Sequence, residues 1–164
     1  MISVDYMRNR IGKVIRRNTL VITTNSGRWL QCKDSMVAFI GIDGSMVLDF
    51  VVWNISKTCP RLTVSRFLGL YAKEFKLRLK NKRIKFADLN MKCQIKVLKI
   101  AGVTGKNDFI ISTPRATYLQ SHGQLAAYIK EDQFHENPVN TIYQNAAVVR
   151  FENWVLSGGH MALE

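Results

Sequence analysis

Five basic side chains in the first seventeen residues, Arg8, Arg10, Lys13, Arg16 and Arg17, open a series that continues through Arg28, Lys33, Arg66, Lys73, Lys76, Lys80, Lys82, Arg83 and Lys85. Guanidinium and ammonium groups in such numbers neutralise anionic oxygens, and a phosphodiester backbone supplies those at regular intervals. Of the 24 Lys and Arg in the 164-residue chain, 21 precede position 107 against 6 acidic residues, formally +15, whereas residues 107–164 carry 3 against 6, formally −3. A surplus of that size repels itself in a compact state and is relieved by a polyanion. Each phosphate neutralised also releases a condensed counterion, so nucleic acid is the expected partner. Double-stranded DNA is the expected form, because the cations far outnumber the aromatics that could stack on single-stranded bases. The fourteen residues named are the candidate phosphate contacts, which give affinity without base readout.

Groupings that perform catalysis are scarce. There is no glycine-rich phosphate loop with Lys-Ser/Thr, no His-Glu-x-x-His, no Gly-x-Ser-x-Gly and no carboxylate array for magnesium. Asp43 reads as a turn residue, Asp5 as a helix start, and Asp49 as a strand residue; His122 and His135 adjoin turns. The chain is therefore expected not to be an enzyme and to need no cofactor or metal. Cys32, Cys59 and Cys93 lie far apart without a Cys-x-x-Cys pair and read as free thiols. Trp29, between Arg28 and Lys33, is a candidate for stacking on a base or for core packing.

These side chains must be carried by elements that the apolar periodicity predicts. Val4, Met7, Ile11, Val14 and Ile15 have helical spacing, shortened by Gly12, so a short helix is expected to end near Arg10 or Ile11. Asn18–Thr24, Arg28–Cys32, Met36–Ile42 and Met46–Trp53 read as strands, separated by Asn25-Ser26-Gly27 and by Asp43-Gly44, the strongest hairpin signal. Val64, Phe67, Leu68, Tyr71 and Phe75 then fall on one face of a helix, capped by Thr63 or begun just after Pro60, with Arg66, Lys73, Lys76 and Lys80 opposite. Beyond Ala87–Asn90, five short strands are expected at Gln94–Ile100, Phe109–Ser112, Thr117–Leu119, Gln124–Ile129 and Ala146–Trp154.

The expected fold is α+β: a basic N-terminal antiparallel β-meander with a packed amphipathic helix over 1–90, followed by a small SH3/KOW- or OB-like β-barrel over 91–162. Leu163-Glu164 reads as a cloning remnant. No apolar run approaches the roughly 20 residues that span a bilayer, and the start lacks a signal peptide's pattern, so a cytoplasmic location is expected.

The run Ile95-Lys96-Val97-Leu98-Lys99-Ile100-Ala101-Gly102-Val103-Thr104-Gly105-Lys106 resembles the core of a KOW motif, the strand and glycine-lysine turn of SH3-like barrels in ribosomal and transcription-elongation proteins; the closing glycine is missing at Asn107–Phe109. Lys33–Ala38, the hairpin, and Trp53-Asn54-Ile55-Ser56-Lys57-Thr58 leading to Ser65-Arg66-Phe67-Leu68 cover about a third of the chain, and with its size and charge they are similar to the early modifier-of-transcription proteins of T4-type phages. That resemblance implies sequence-independent binding to double-stranded DNA, DNA compaction at the host nucleoid and relief of silencing by host nucleoid proteins of the H-NS type. Two alternatives stand beside it. One is a KOW-type RNA or ribonucleoprotein binder, marked by exposed aromatics on one barrel face. The other is a phage inhibitor docking on an acidic surface of a host enzyme, marked by an exposed apolar patch inside a basic rim.

Overall fold

Tight turns between β-branched runs set the first sheet. In this computed structural model, which describes residues 2–9, 11–15, 18–49, 61–74, 85–92 and 94–158, the chain divides into two compact units, Met1–Cys93 and Gln94–Glu164.

The first unit holds a six-stranded sheet in sequence order, β1 (Ser3–Tyr6), β2 (Thr19–Thr24), β3 (Gly27–Cys32), β4 (Ser35–Gly41), β5 (Met46–Asp49) and β6 (Lys85–Ala87). All neighbours pair antiparallel except β5 and β6, which run parallel and are joined through α1 (Arg61–Glu74). Gly27 pairs with Thr24 across the Asn25-Ser26 turn at φ +149°, and a Cβ there would run into the Ile40 carbonyl, so only glycine fits. The Asp43-Gly44 loop is longer than a two-residue turn. Ile40 pairs with Met46, only Gly44 of the two takes a positive φ, and the Asp43 carboxylate accepts from the Ser45 N–H at 2.9 Å.

A row of residues in register, Val21, Leu30, Ala38 and Leu48, lines one face of this sheet. With Met7, Ile40, Met46 and the Val64, Phe67 and Leu68 face of α1 it forms the core. Each large apolar side chain so buried contributes about 1.5–3 kcal/mol. The helix starts at Arg61, directly after Pro60, and Thr63 is a buried residue of its first turn, not its cap. Phe75 and Trp53 lie outside the described residues, as does Tyr71's side chain.

Two expectations for this unit are corrected. Residues 3–6 form edge strand β1, paired with β2, instead of starting a helix: Val4 and Tyr6 are buried while Asp5 between them is exposed, an alternation that a strand satisfies. Cys32 is disulfide-bonded in the core, not a free thiol; Cys59 and Cys93 lie outside the described residues.

The second unit is a five-stranded antiparallel sheet in the order β11-β10-β9-β8-β7, from β7 (Lys96–Leu98), β8 (Asp108–Ser112), β9 (Thr117–Ser121), β10 (Gln124–Lys130) and β11 (Gln133–Glu136). The SH3/KOW- or OB-like barrel expected over 91–162 is overturned. Both sheets are open: β7 and β11 are edges with one partner each. The segment expected as a fifth strand, Ala146–Trp154, belongs instead to the helix Ile142–Leu156, here α3, after the single-turn α2 (Leu89–Lys92). Its start is fixed by a capping box: Thr141 Oγ1 accepts from the Gln144 N–H at 3.2 Å, and Gln144 Oε1 accepts from the Thr141 N–H at 2.8 Å. The KOW-like segment, Ile95 to Lys106, is β7 and most of the loop that leads to β8. No helix among the described residues is long and apolar enough to cross a membrane.

Candidate nucleic-acid interface

The loop between β1 and β2 is a hydrogen-bonded knot. Asn9 Oδ1 accepts from the N–H groups of Ile11 (3.1 Å) and Lys13 (2.9 Å), and the Asn9 N–H donates to the Lys13 carbonyl at 2.9 Å. Gly12 turns the chain at φ +84°, and Arg8 bridges to Val14 through the backbone. Arg8 also donates through Nη1 to the Gly12 carbonyl at 3.0 Å and through Nε to Asp5 at 2.9 Å. Both members of that ion pair are exposed, so the pair itself contributes little stability.

Helix α1 meets this loop. Asn9, Ile15, Arg66, Gly69 and Leu70 line an open groove of about 400 Å³. Arg66 is exposed and Ile15 and Leu70 are half-buried, which gives an apolar floor with a cation at the rim; the exposed Lys13 adjoins through its hydrogen bonds to Asn9. Gly69 sits inside α1 at a cost of about 1 kcal/mol relative to alanine. A Cβ there would meet nothing within 4 Å, so packing does not demand glycine, and its absence keeps the groove open.

Of the fourteen candidate contacts, Arg66 lines this groove, and Arg8 and Lys13 stand on the loop whose Asn9 and Ile15 line it. The other described ones do not line it. Arg28 is half-buried on β3 and donates through Nη1 to Thr23 Oγ1 on the paired strand. Lys33 is exposed at the far end of β3, in the turn to β4 at φ +52°, about 17 Å of extended chain from Arg28. Lys85 is exposed at the start of edge strand β6, where a lysine also discourages pairing with another sheet. Arg10, Arg16, Arg17, Lys76, Lys80, Lys82 and Arg83 lie outside the described residues, as does the side chain of Lys73. Asn9, Ile15, Gly69 and Leu70 escaped the sequence reading; their signal was the turn chemistry of Asn9 and Gly12 and a glycine misplaced for a helix.

Comparison with protein-family models, with curated proteins and with solved structures finds no match.

Two cations of the second unit, Lys99 and Arg150, are tied to groups within it. Lys99 Nζ donates to the carbonyls of Gly105 and Asp108, both at 2.6 Å, and lies 4.5 Å from the Phe109 ring centre. Burial pushes its pKa down, partly opposed by the Asp108 charge. Buried Asp108 accepts from Ser121 Oγ (2.6 Å), the Gly105 N–H (2.7 Å) and Arg150 Nη2 (3.2 Å), tying β8 to its neighbouring loop, β9 and α3. Ser121 Oγ also lies 3.0 Å from His122 Nδ1, but this serine is fully buried and stands between acid and imidazole, an order unlike that of a nucleophile relay. In the first unit, Asp49 is likewise structural: buried, it accepts from the Leu89 N–H at 2.8 Å and from Asn90 Nδ2 at 3.1 Å.

The aromatics are mostly engaged with one another. Trp29 is half-buried with its ring centre 4.3 Å from that of Phe39, and Tyr128 stacks on His135 at 4.6 Å and 19°. An open stacking row for bases is not formed at either place.

Proposed function

We propose that the chain is a non-enzymatic, largely sequence-independent double-stranded DNA-binding protein of the nucleoid-associated type, compacting DNA and modulating transcription as early phage modifiers do. The observation that carries the reading is where the charge falls. Residues 1–93 hold 18 basic and 6 acidic side chains, formally +12, and residues 94–164 hold 6 of each, so the whole net charge belongs to the first unit. Arg66 on the groove, with Arg8 and Lys13 on the loop beside it, would contact phosphates, and the remaining cations of that unit would extend the contact. The location that goes with this reading is the cytoplasm, at the host nucleoid. The disulfide at Cys32 weighs against it, because most cytosols keep thiols reduced.

Duplex binding measured across salt concentrations tests the proposal. Unrelated sequences should bind alike, and neutralising about 6 phosphates should give a log–log salt slope of about −5. The double variant Lys13→Ala/Arg66→Ala should bind every sequence more weakly and lose up to about 2 from that slope, while Lys96→Ala/Lys130→Ala in the neutral unit should leave both unchanged. A flat salt response sinks the proposal.

The groove itself favours a second reading, docking on an acidic surface of a host enzyme, since Ile15 and Leu70 form an apolar floor beside Arg66. Under that reading, excess duplex DNA fails to displace the enzyme, whereas phosphate-led binding predicts mutual exclusion.

A further inference from the structure

Helix α3 has two apolar faces, and the five-stranded sheet covers one of them. Gln144, Ala147, Val148, Phe151 and Val155 are buried. On the opposite side Ile142, Ala146, Val149, Asn153 and Leu156 follow at steps of four, three, four and three, which is heptad spacing, and all five are exposed. At about 100° per residue this second stripe lies about 160° round the helix from the first. Its large members are strongly exposed, Ile142 by 83%, Val149 by 57% and Leu156 by 77%; Tyr143 (73%) and Val139 (79%) adjoin its N-terminal end. The outer face of a surface helix is ordinarily charged or polar. In α3 the only charged residues are Arg150 and Glu152, neither on the stripe, and Arg150 is turned to the Val103 carbonyl and Asp108.

We infer that this outer face of α3 is a self-association surface through which two copies of the chain pair, helix against helix, about a two-fold axis. Four observations select a second copy as the occupant. The heptad spacing is self-complementary, as a two-fold contact requires. Ala146 lets two helices approach closely, and Asn153 at a seam position is the kind of polar residue that fixes register and limits the number of helices. A charged partner would find no opposite charge on the stripe, and with +12 on the first unit of each copy, only the neutral second unit can meet its own kind without repulsion. Exposed apolar surface is considerable too: Val139, Ile142, Tyr143, Val149 and Leu156 are each more than half exposed, and pairing would take large apolar side chains of both copies out of water.

The inference goes beyond DNA binding and does not depend on it, although a pair would carry two basic units and so could bridge two duplexes. Sedimentation equilibrium of the full chain without nucleic acid tests it. Over about 1–100 μM, where an interface of this size and modest hot-spot content dissociates, the mass should rise from one copy to two. Val149→Asp should hold the protein at one copy throughout with an unchanged circular-dichroism spectrum; should that variant misfold, Leu156→Asp at the helix end serves the same purpose. Asn153→Leu should tighten association by at least about tenfold or raise the copy number. A wild-type chain that stays single over the whole range, or a pair that survives both aspartate substitutions, overturns the inference. A chain that pairs but ignores DNA overturns only the phosphate reading, and one that binds DNA while remaining single overturns only the pairing.

Discussion

The two units solve the same packing problem with opposite surfaces. Each lays a helix on one face of an open sheet, Val64, Phe67 and Leu68 in the first and Ala147, Val148, Phe151 and Val155 in the second. The first then carries all of the net charge, and the second carries none but leaves an uncharged apolar stripe on its helix. Similar cores with unlike exteriors teach that core composition speaks for the fold, while the surface speaks for the partner. A +12 exterior suits a polyanion, and an uncharged apolar one suits another protein surface.

The comparison can be broken most forcefully at the cores. Phe67 and Phe151 are both fully buried, so Phe67→Ala and Phe151→Ala should each cost about 3–5 kcal/mol. Calorimetry of the two variants should show each lowering one transition and leaving the other in place. A single transition lowered alike by both would mean that the chain unfolds as one body, whatever its charge division.

A somewhat smaller effect separates the two buried carboxylates. Asp108→Ala leaves the Gly105 N–H without its acceptor and removes one partner each from Ser121 and from the Arg150 guanidinium, for a loss of about 3 kcal/mol. Asp49→Ala removes the acceptor of the Leu89 N–H and one of two acceptors of the Asn90 amide, neither donor charged, for about 1–3 kcal/mol. Denaturant midpoints of the two variants check the ranking, and a costlier Asp49→Ala would reverse it.

The smallest effect is a pH dependence confined to the second unit. Burial lowers the Lys99 pKa below its ordinary 10.5, so between the folded and unfolded values the unfolded chain binds more protons. Burying the charged ammonium therefore costs stability at neutral pH. That cost is relieved as pH climbs through the depressed value, so this group makes the unit more stable toward pH 10.5. Lys99→Met should abolish the alkaline gain in a melting series, and an unaltered series would remove Lys99 as its source.

Much of this architecture was legible where local signals were strong. Asn25-Ser26-Gly27, Asp43-Gly44 and the Val64–Leu68 period led to the meander and its helix, because turn chemistry and burial demanded the same conformation there. Residues 3–6 misled because Val4, Met7 and Ile11 fit a helical period as well as Val4 and Tyr6 fit an alternating one, and pairing with β2 decided between them. In α3, Val148, Val149, Phe151 and Trp154 are strand-formers by propensity, and the Thr141–Gln144 capping box outweighed them. That misreading added a strand to the expected barrel and hid the stripe, since heptad spacing is invisible in a segment taken as a strand. β11 escaped because its residues are largely exposed, with no alternation to mark it. The basic residues could be named from the sequence, but which of them share a groove depends on the loop at Asn9 meeting α1, a long-range contact with no local signature.

The parallel edge strand has a kinetic consequence. Strands β2 to β5 join through short local turns, but β6 is secured by Asn90 gripping Met36 across 54 positions and by the Leu89 N–H reaching Asp49 across 40. Contacts that close such long loops form late, after the entropy of ordering the intervening chain has been lost. During that interval the outer edge of β5 stands without its neighbour, a run of backbone donors and acceptors open to any passing strand. A freshly synthesised chain is thus most prone to aggregate before α1 has carried β6 into place, and conditions that slow this docking should lower the yield of refolded protein without changing the stability of what does fold.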